Sequence, residues 1–115
     1  MTDAAWKAFE RRIADVFGGQ RRGAYTGNGR QGKSDIIVPG WGVECKLLSR
    51  PNFQQLLDAA RQAESNRECP ADIPVAVVKR KGDHDTNALV VMRLEQFQEY
   101  FINERKDGEN GSRLE

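Results

Sequence analysis

Two carboxylates and an amine stand close together in this sequence: Asp35, then eight residues, then Glu44-Cys45-Lys46. Side chains alternate across a strand, so over residues 42–48 Glu44 and Lys46 project from one face and Val43, Cys45 and Leu47 from the other. Pro39-Gly40-Trp41-Gly42 separates that stretch from a second β-rich one, 34–38, and supplies the turn of a hairpin. A four-residue turn at 39–42 pairs Val38 with Val43, Ile37 with Glu44, Ile36 with Cys45 and Asp35 with Lys46, which sets Asp35 on the face of Glu44 and Lys46. Opposed residues of an antiparallel pair lie ~4.5–5.5 Å apart at Cβ and diagonal ones ~7–8 Å, near enough for two carboxylates to share a cation. A hard ion such as Mg²⁺ suits that arrangement, with waters and phosphate oxygens filling its other positions. A neighbouring lysine would orient the attacking water and offset the charge that develops on a phosphorane. A one-residue bulge would flip the register and undo the arrangement. Glu-x-Lys alone is more often the pattern of an ordinary ion pair on an exposed strand.

The basic residues cluster in the same half of the chain. The formal charge is only +1, but residues 11–50 carry +5 and residues 51–115 carry −3. Residues 18–34 hold Arg21, Arg22, Arg30 and Lys33 with no acid and with six glycines. Such a segment is either a solvated loop or one that tracks a phosphate backbone. Arg11, Arg21, Arg22, Arg30, Lys33 and Ser34 are the candidate phosphate contacts, and Lys79-Arg80-Lys81 a weaker set. Asp83-His84-Asp85 has metal-compatible residue types in what reads as a solvated hairpin loop. Cys45 and Cys69 form no C-x-x-C motif, which excludes a disulfide framework or structural zinc and leaves two reduced thiols.

The elements that must position these groups follow from periodicity. Residues 3–17 form an amphipathic helix with Trp6, Phe9, Ile13, Val16 and Phe17 as its apolar stripe, capped by Thr2 or Asp3 and ended by Gly18-Gly19. A short strand at 22–26 precedes the hairpin. Pro51 and Asn52 open a second helix to Asn66, with Phe53, Leu56, Leu57, Ala60 and Ala63 inward. Strands at 73–78 and 88–94 flank a loop at 79–87, and a last helix runs over 94–105. Trp6, Phe9 and Phe17 read as core, while Trp41 either caps that core or anchors a partner. The order α-β-β-β-α-β-β-α predicts an α/β fold, a central mixed sheet flanked by helices, with a βαβ crossover through the second helix. At 115 residues and 38% hydrophobic the chain fits one domain, 1–105, followed by a flexible polar tail, 106–115, compatible in part with a cloning scar. Apolar runs are too short to span a bilayer, so no membrane partner is expected. The start lacks a secretory pattern, so the expected location is the cytoplasm of a bacterial, archaeal or phage-infected cell.

With Phe9-Glu10-Arg11-Arg12 on the first helix, the Gly- and Arg-rich segment after it and the Asp35…Glu44-Cys45-Lys46 hairpin, the chain resembles the PD-(D/E)XK nuclease superfamily, and within it archaeal-type Holliday-junction resolvases and their phage relatives. The likeness spans about residues 5–100 and includes the stretch 88–97; Ser34 stands where the superfamily has proline. The resemblance implies a restriction-endonuclease-like core and metal ligation by Asp35 and Glu44, aided by the Cys45 carbonyl. It also implies a water- or transition-state role for Lys46, a contribution to the site and its metal from Glu10, and an auxiliary Gln62, for which Gln54 and Gln55 compete. It further implies a Mg²⁺-dependent endonuclease, with Mn²⁺ as a substitute, acting in DNA recombination and repair. Its products would carry 5′-phosphate and 3′-hydroxyl ends, and its partners would be a four-way junction and a second copy of the chain. Another DNA nuclease of the same fold (restriction-like, repair, flap or nicking) and a non-catalytic DNA-binding module are the alternatives.

Overall fold

The computed structural model describes residues 2–23 and 33–103. Arg30, most of the strand expected at 22–26, the end of the last helix and the tail at 106–115 lie outside them, as do the side chains of Thr2 and Asp3. Helix α1 (Thr2–Phe17) is followed by strands β1 (Gln20–Arg21), β2 (Ile36–Ile37) and β3 (Trp41–Leu48). Then come helix α2 (Phe53–Asn66), strands β4 (Ile73–Arg80) and β5 (Leu89–Val91), and the short helix α3 (Leu94–Phe97). The sheet runs β1-β2-β3-β4-β5, with β3 and β4 parallel and every other pair antiparallel. The mixed α/β sheet and the β3-α2-β4 unit are as expected. The first short strand sits at Gln20–Arg21, ahead of its expected place, because it pairs with Ile36 and Ile37. No helix of the described residues is long and apolar enough to cross a membrane.

Both faces of the central strands are covered. On one, Phe9, Ile13 and Ala14 of α1 pack on Val43 and Cys45 of β3 and Val75 and Val77 of β4. On the other, Ala59 and Leu56 of α2 pack on Ala76, Val78 and Leu48. Asn52 caps α2 reciprocally: its side chain accepts from the Gln55 N–H, and the Gln55 side chain accepts from the Asn52 N–H.

The helical stripes are displaced from expectation in three places. Val16 is 77% exposed, because Glu10 and Ala14 complete the buried arc of α1 on its opposite flank. Trp6 and Phe53, towards the N-terminal ends of α1 and α2, stay 42% and 76% exposed. Trp41 packs edge-on against Phe17 at 5.3 Å, which favours the core-capping alternative. The last helix also differs: α3 gives way at Gln98–Asn103 to a wider π-helical turn, where the Tyr100 hydroxyl accepts from Arg67 at 2.6 Å and donates to the Pro70 carbonyl at 2.8 Å.

The loop expected from Lys79 starts later, since Lys79 and Arg80 stay paired to Leu47 and Leu48 of β3. Lys79 is 7% exposed, with Nζ 5.1 Å from the Phe9 ring centre and 2.8 Å from both the Asp83 carbonyl and an Asp85 carboxylate oxygen. The same carboxylate takes two bonds from Arg12 of α1, at 2.6 and 3.1 Å. Arg12, and after it Lys79, hold the Asp85 carboxyl well below the usual carboxylate range, while His84 caps the 3₁₀ turn Asp85–Asn87. Asp83-His84-Asp85 is therefore an anchor between α1 and the sheet. Asp85→Ala leaves a buried ammonium with one partner and is expected to cost about 1–3 kcal/mol. Urea denaturation of the two proteins at pH 7 checks this.

Candidate active site

The hairpin closes more tightly than a four-residue turn allows. Gly40 takes φ +88° after Pro39, and the Trp41 N–H donates to the Val38 carbonyl at 3.4 Å, so the turn has two central residues, Pro39 and Gly40. Ile36 consequently pairs with Val43 and not with Cys45. The register differs from the expected one by two residues, and because side chains alternate with period two, the paired residues keep their faces. Asp35 lies just before the paired residues of β2, against Val43 and Cys45 of β3. Its own N–H donates to the Val43 carbonyl at 3.0 Å, and its carboxylate accepts from the Cys45 N–H at 2.9 Å.

Glu44 is 2% exposed, which excludes the surface ion-pair alternative. The Asp35 and Glu44 carboxyls lie within hydrogen-bond reach of each other. Burial, then the charge of Asp35, pushes Glu44 up to about 8, against the opposing pull of the Asn66 amide and Lys46. Burial also raises Asp35, opposed chiefly by the Cys45 N–H and the Lys46 charge. Burial and the neighbouring Asp35 charge thus favour the protonated form of Glu44. The Asn66 amide donates to Glu44 at 3.1 Å from the end of α2. Gly42 permits the approach of the residue that follows, since a Cβ there would lie 2.7 Å from the Arg67 Cβ. Cys45 joins the site through its N–H; burial raises its thiol and keeps it protonated.

Glu10 is buried to 4% and sits in the field of Asp35, with its carboxylate accepting from Arg21 Nε at 2.6 Å. Burial is the largest influence on it and raises its pKa, against the Arg21 hydrogen bond. Asp35, Glu10 and Arg21 line a cavity of about 160 Å³ together with Trp6, Lys7 and Lys33. Among the described residues no group of three or more His, Cys, Asp and Glu side chains is gathered to enclose an ion. The donor set here is the buried Glu44 carboxyl and the half-buried Asp35 carboxyl beside it. That suits a divalent ion such as Mg²⁺, which commonly keeps several waters and takes one or two carboxylates.

The candidate phosphate contacts divide. Lys33 is exposed and lines the cavity, while Arg11 is exposed on α1 and is not among the cavity's residues. Arg21 is committed to Glu10, and Arg22 to the Ser34 carbonyl at 2.7 Å and to Glu68. Ser34 is buried and its hydroxyl donates to the Asn66 carbonyl at 3.3 Å, so as a phosphate contact it is corrected to a structural role. Gln62 is exposed on α2 and shares a separate cavity of about 180 Å³ with Lys46, which sets it beside the lysine. Of its competitors, Gln54 donates to Asp58, while Gln55 lines the same cavity and accepts from the Asn52 N–H in the α2 cap.

Three further residues at the site escaped the sequence reading. Lys7 lies one turn from Glu10 on α1, a spacing that could have revealed it. Asn66 lies 22 residues from Glu44, a separation no local pattern bridges. Trp6 carried an aromatic-stripe signal that pointed to the core. Compared with protein-family models, curated proteins and solved structures, the chain shows no match.

Proposed function

We propose that this chain is a metal-dependent, structure-specific endonuclease of the PD-(D/E)XK kind that resolves four-way DNA junctions. The observation that carries the reading is the buried Glu44 carboxyl beside the half-buried Asp35 carboxyl, with Lys46 in the same field. Asp35 and Glu44 would hold Mg²⁺ or Mn²⁺, with the Cys45 carbonyl as a further donor. When bound, the ion supplies Lewis-acid polarisation of the scissile phosphate and lowers the pKa of a water.

The chain's own groups do the positioning. The Cys45 N–H keeps Asp35 aimed, and the Asn66 amide holds Glu44. Lys46 offsets negative charge as it builds on the phosphate oxygens. Arg21 holds Glu10 at the rim, and Lys7 and Lys33 draw the DNA backbone to the cavity. One chain carries one such site, so opposed cuts in two strands need a two-fold pair of chains. Leu89 and Val90 of β5 and Leu94 and Phe97 of α3, all exposed, offer that pair an apolar surface.

The test is cleavage of a synthetic four-way junction, end-labelled on each strand in turn, beside a linear duplex of the same sequence. Paired nicks in opposed strands, with Mg²⁺ and not with chelator, are expected on the junction alone. Equal cutting of the duplex would replace junction resolution by a general nuclease. Tight binding with no product in Mg²⁺ or Mn²⁺ would make the chain a DNA-binding module.

A further inference from the structure

Trp6 is a wall common to two cavities. On one side lies the cavity over Asp35 and Glu10, and on the other a larger cleft of about 430 Å³, bounded by Lys46, Leu47, Leu48, Lys81 and Gly82. We propose that this cleft is a subsite for an unpaired nucleobase next to the scissile phosphate, with Trp6 as its stacking platform. The proposal deepens the nuclease reading and rests on it.

Three features point to this occupant. A large aromatic ring that belongs by spacing to the apolar stripe of α1 is left 42% exposed at the mouth of the cleft. The charged residues that line the cleft are both cationic, Lys46 and Lys81, so it accepts an apolar ring attached to an anionic chain. Lys46 also belongs to the field of the acid pair, so for a phosphate held there the nearest group that can fill the adjoining cleft is its own nucleoside. Every base presents a π-face, so stacking tolerates any sequence and supplies affinity without base readout. Inside a duplex a base must first be unstacked and unpaired, whereas at a branch point that cost is smallest. The cleft would therefore favour branched or single-stranded DNA over continuous duplex.

The test uses the full chain in chelator, in a Trp41→Phe background so that Trp6 is the only indole. Binding of a four-way junction, intact or with abasic sites at its branch nucleotides, is followed by tryptophan emission and by titration. Quenching of Trp6 is expected. Trp6→Ala should weaken binding of the intact junction about tenfold or more, and Trp6→Phe should stay within about threefold of the parent. The abasic junction should cost the parent the same factor and Trp6→Ala nothing further. A Trp6→Ala protein with unchanged circular dichroism and melting that binds both junctions as the parent does would overturn the subsite. So would Trp6 emission indifferent to DNA. If Trp6→Ala does not fold, the abasic comparison on the parent and Trp6→Phe decides. Junction cleavage by the parent in Mg²⁺, run in parallel, separates the two readings: cutting without Trp6 dependence removes the subsite alone, and base-dependent quenching without cutting removes the nuclease alone.

Discussion

Lys46→Ala is expected to slow junction cleavage by on the order of 10²–10³-fold, and Asp35→Asn by at least as much, with junction affinity in chelator little changed. Lys46 acts where charge builds up in the transition state, so its loss falls on the cleavage rate and not on ground-state binding. Asp35→Asn removes a negative charge from a surface that must approach phosphates, so affinity should hold or rise. The asparagine can still accept the Cys45 N–H, which keeps the hairpin intact while removing a ligand. Single-turnover rates beside equilibrium binding at two salt concentrations check both. Cleavage at the parent rate in either variant would remove the acid pair and its lysine from the chemistry. Lost affinity with an unchanged single-turnover rate at saturation would turn Lys46 into a DNA anchor.

The second large effect is on stability, and it runs against intuition: Glu44→Gln should make the metal-free protein more stable at alkaline pH. Glu44 holds its proton to about 8 in the folded chain, against an ordinary value of 4.5. Between those limits the folded state binds more protons than the unfolded one, so stability falls as pH rises through the interval. The cost is absent below about 4.5 and complete above 8. Glutamine keeps the shape and the Asn66 contact without that ionisation. By pH 8.5 the variant should exceed the parent by at least ~1 kcal/mol, or about 4–8 °C in melting temperature. At pH 5 the two should nearly coincide. Adding Mg²⁺ at pH 8.5 should raise the parent's melting temperature and leave Asp35→Asn/Glu44→Gln unmoved. A parent whose stability is flat between pH 5 and 8.5 would show that burial and the Asp35 charge do not raise Glu44.

Much of the site was legible because it is built from short periods. Alternation along 42–48 and the Pro39-Gly40 turn were enough to align Asp35, Glu44 and Lys46. They survived an error of two residues in register because two is the period of the strand. The helical period likewise brought Phe9 and Ile13 inward and left Glu10 at their border, where it is now seen buried. The start of α2 was readable because Pro51 and Asn52 are local signals, and the cap Asn52 forms joins residues only three apart.

What sequence alone determined here is therefore local: which side chains share a face, where helices begin, and that basic residues gather in the half of the chain that holds the acid pair. Tertiary structure decided what those faces meet. Glu44 is buried because α2 covers the second face of β3 and brings Asn66 to it, and Arg21 belongs to Glu10 because β1 lies beside α1. Lys79 is an internal ion-pair partner because it meets Arg12 on the Asp85 carboxylate, 73 residues from Arg12 along the chain. Trp6 is left 42% exposed because two cavities flank it where core neighbours would stand. Periodicity records the angle of a side chain about its own axis, whereas burial and charge pairing depend on where other elements stop, and that information is spread over distant parts of the chain.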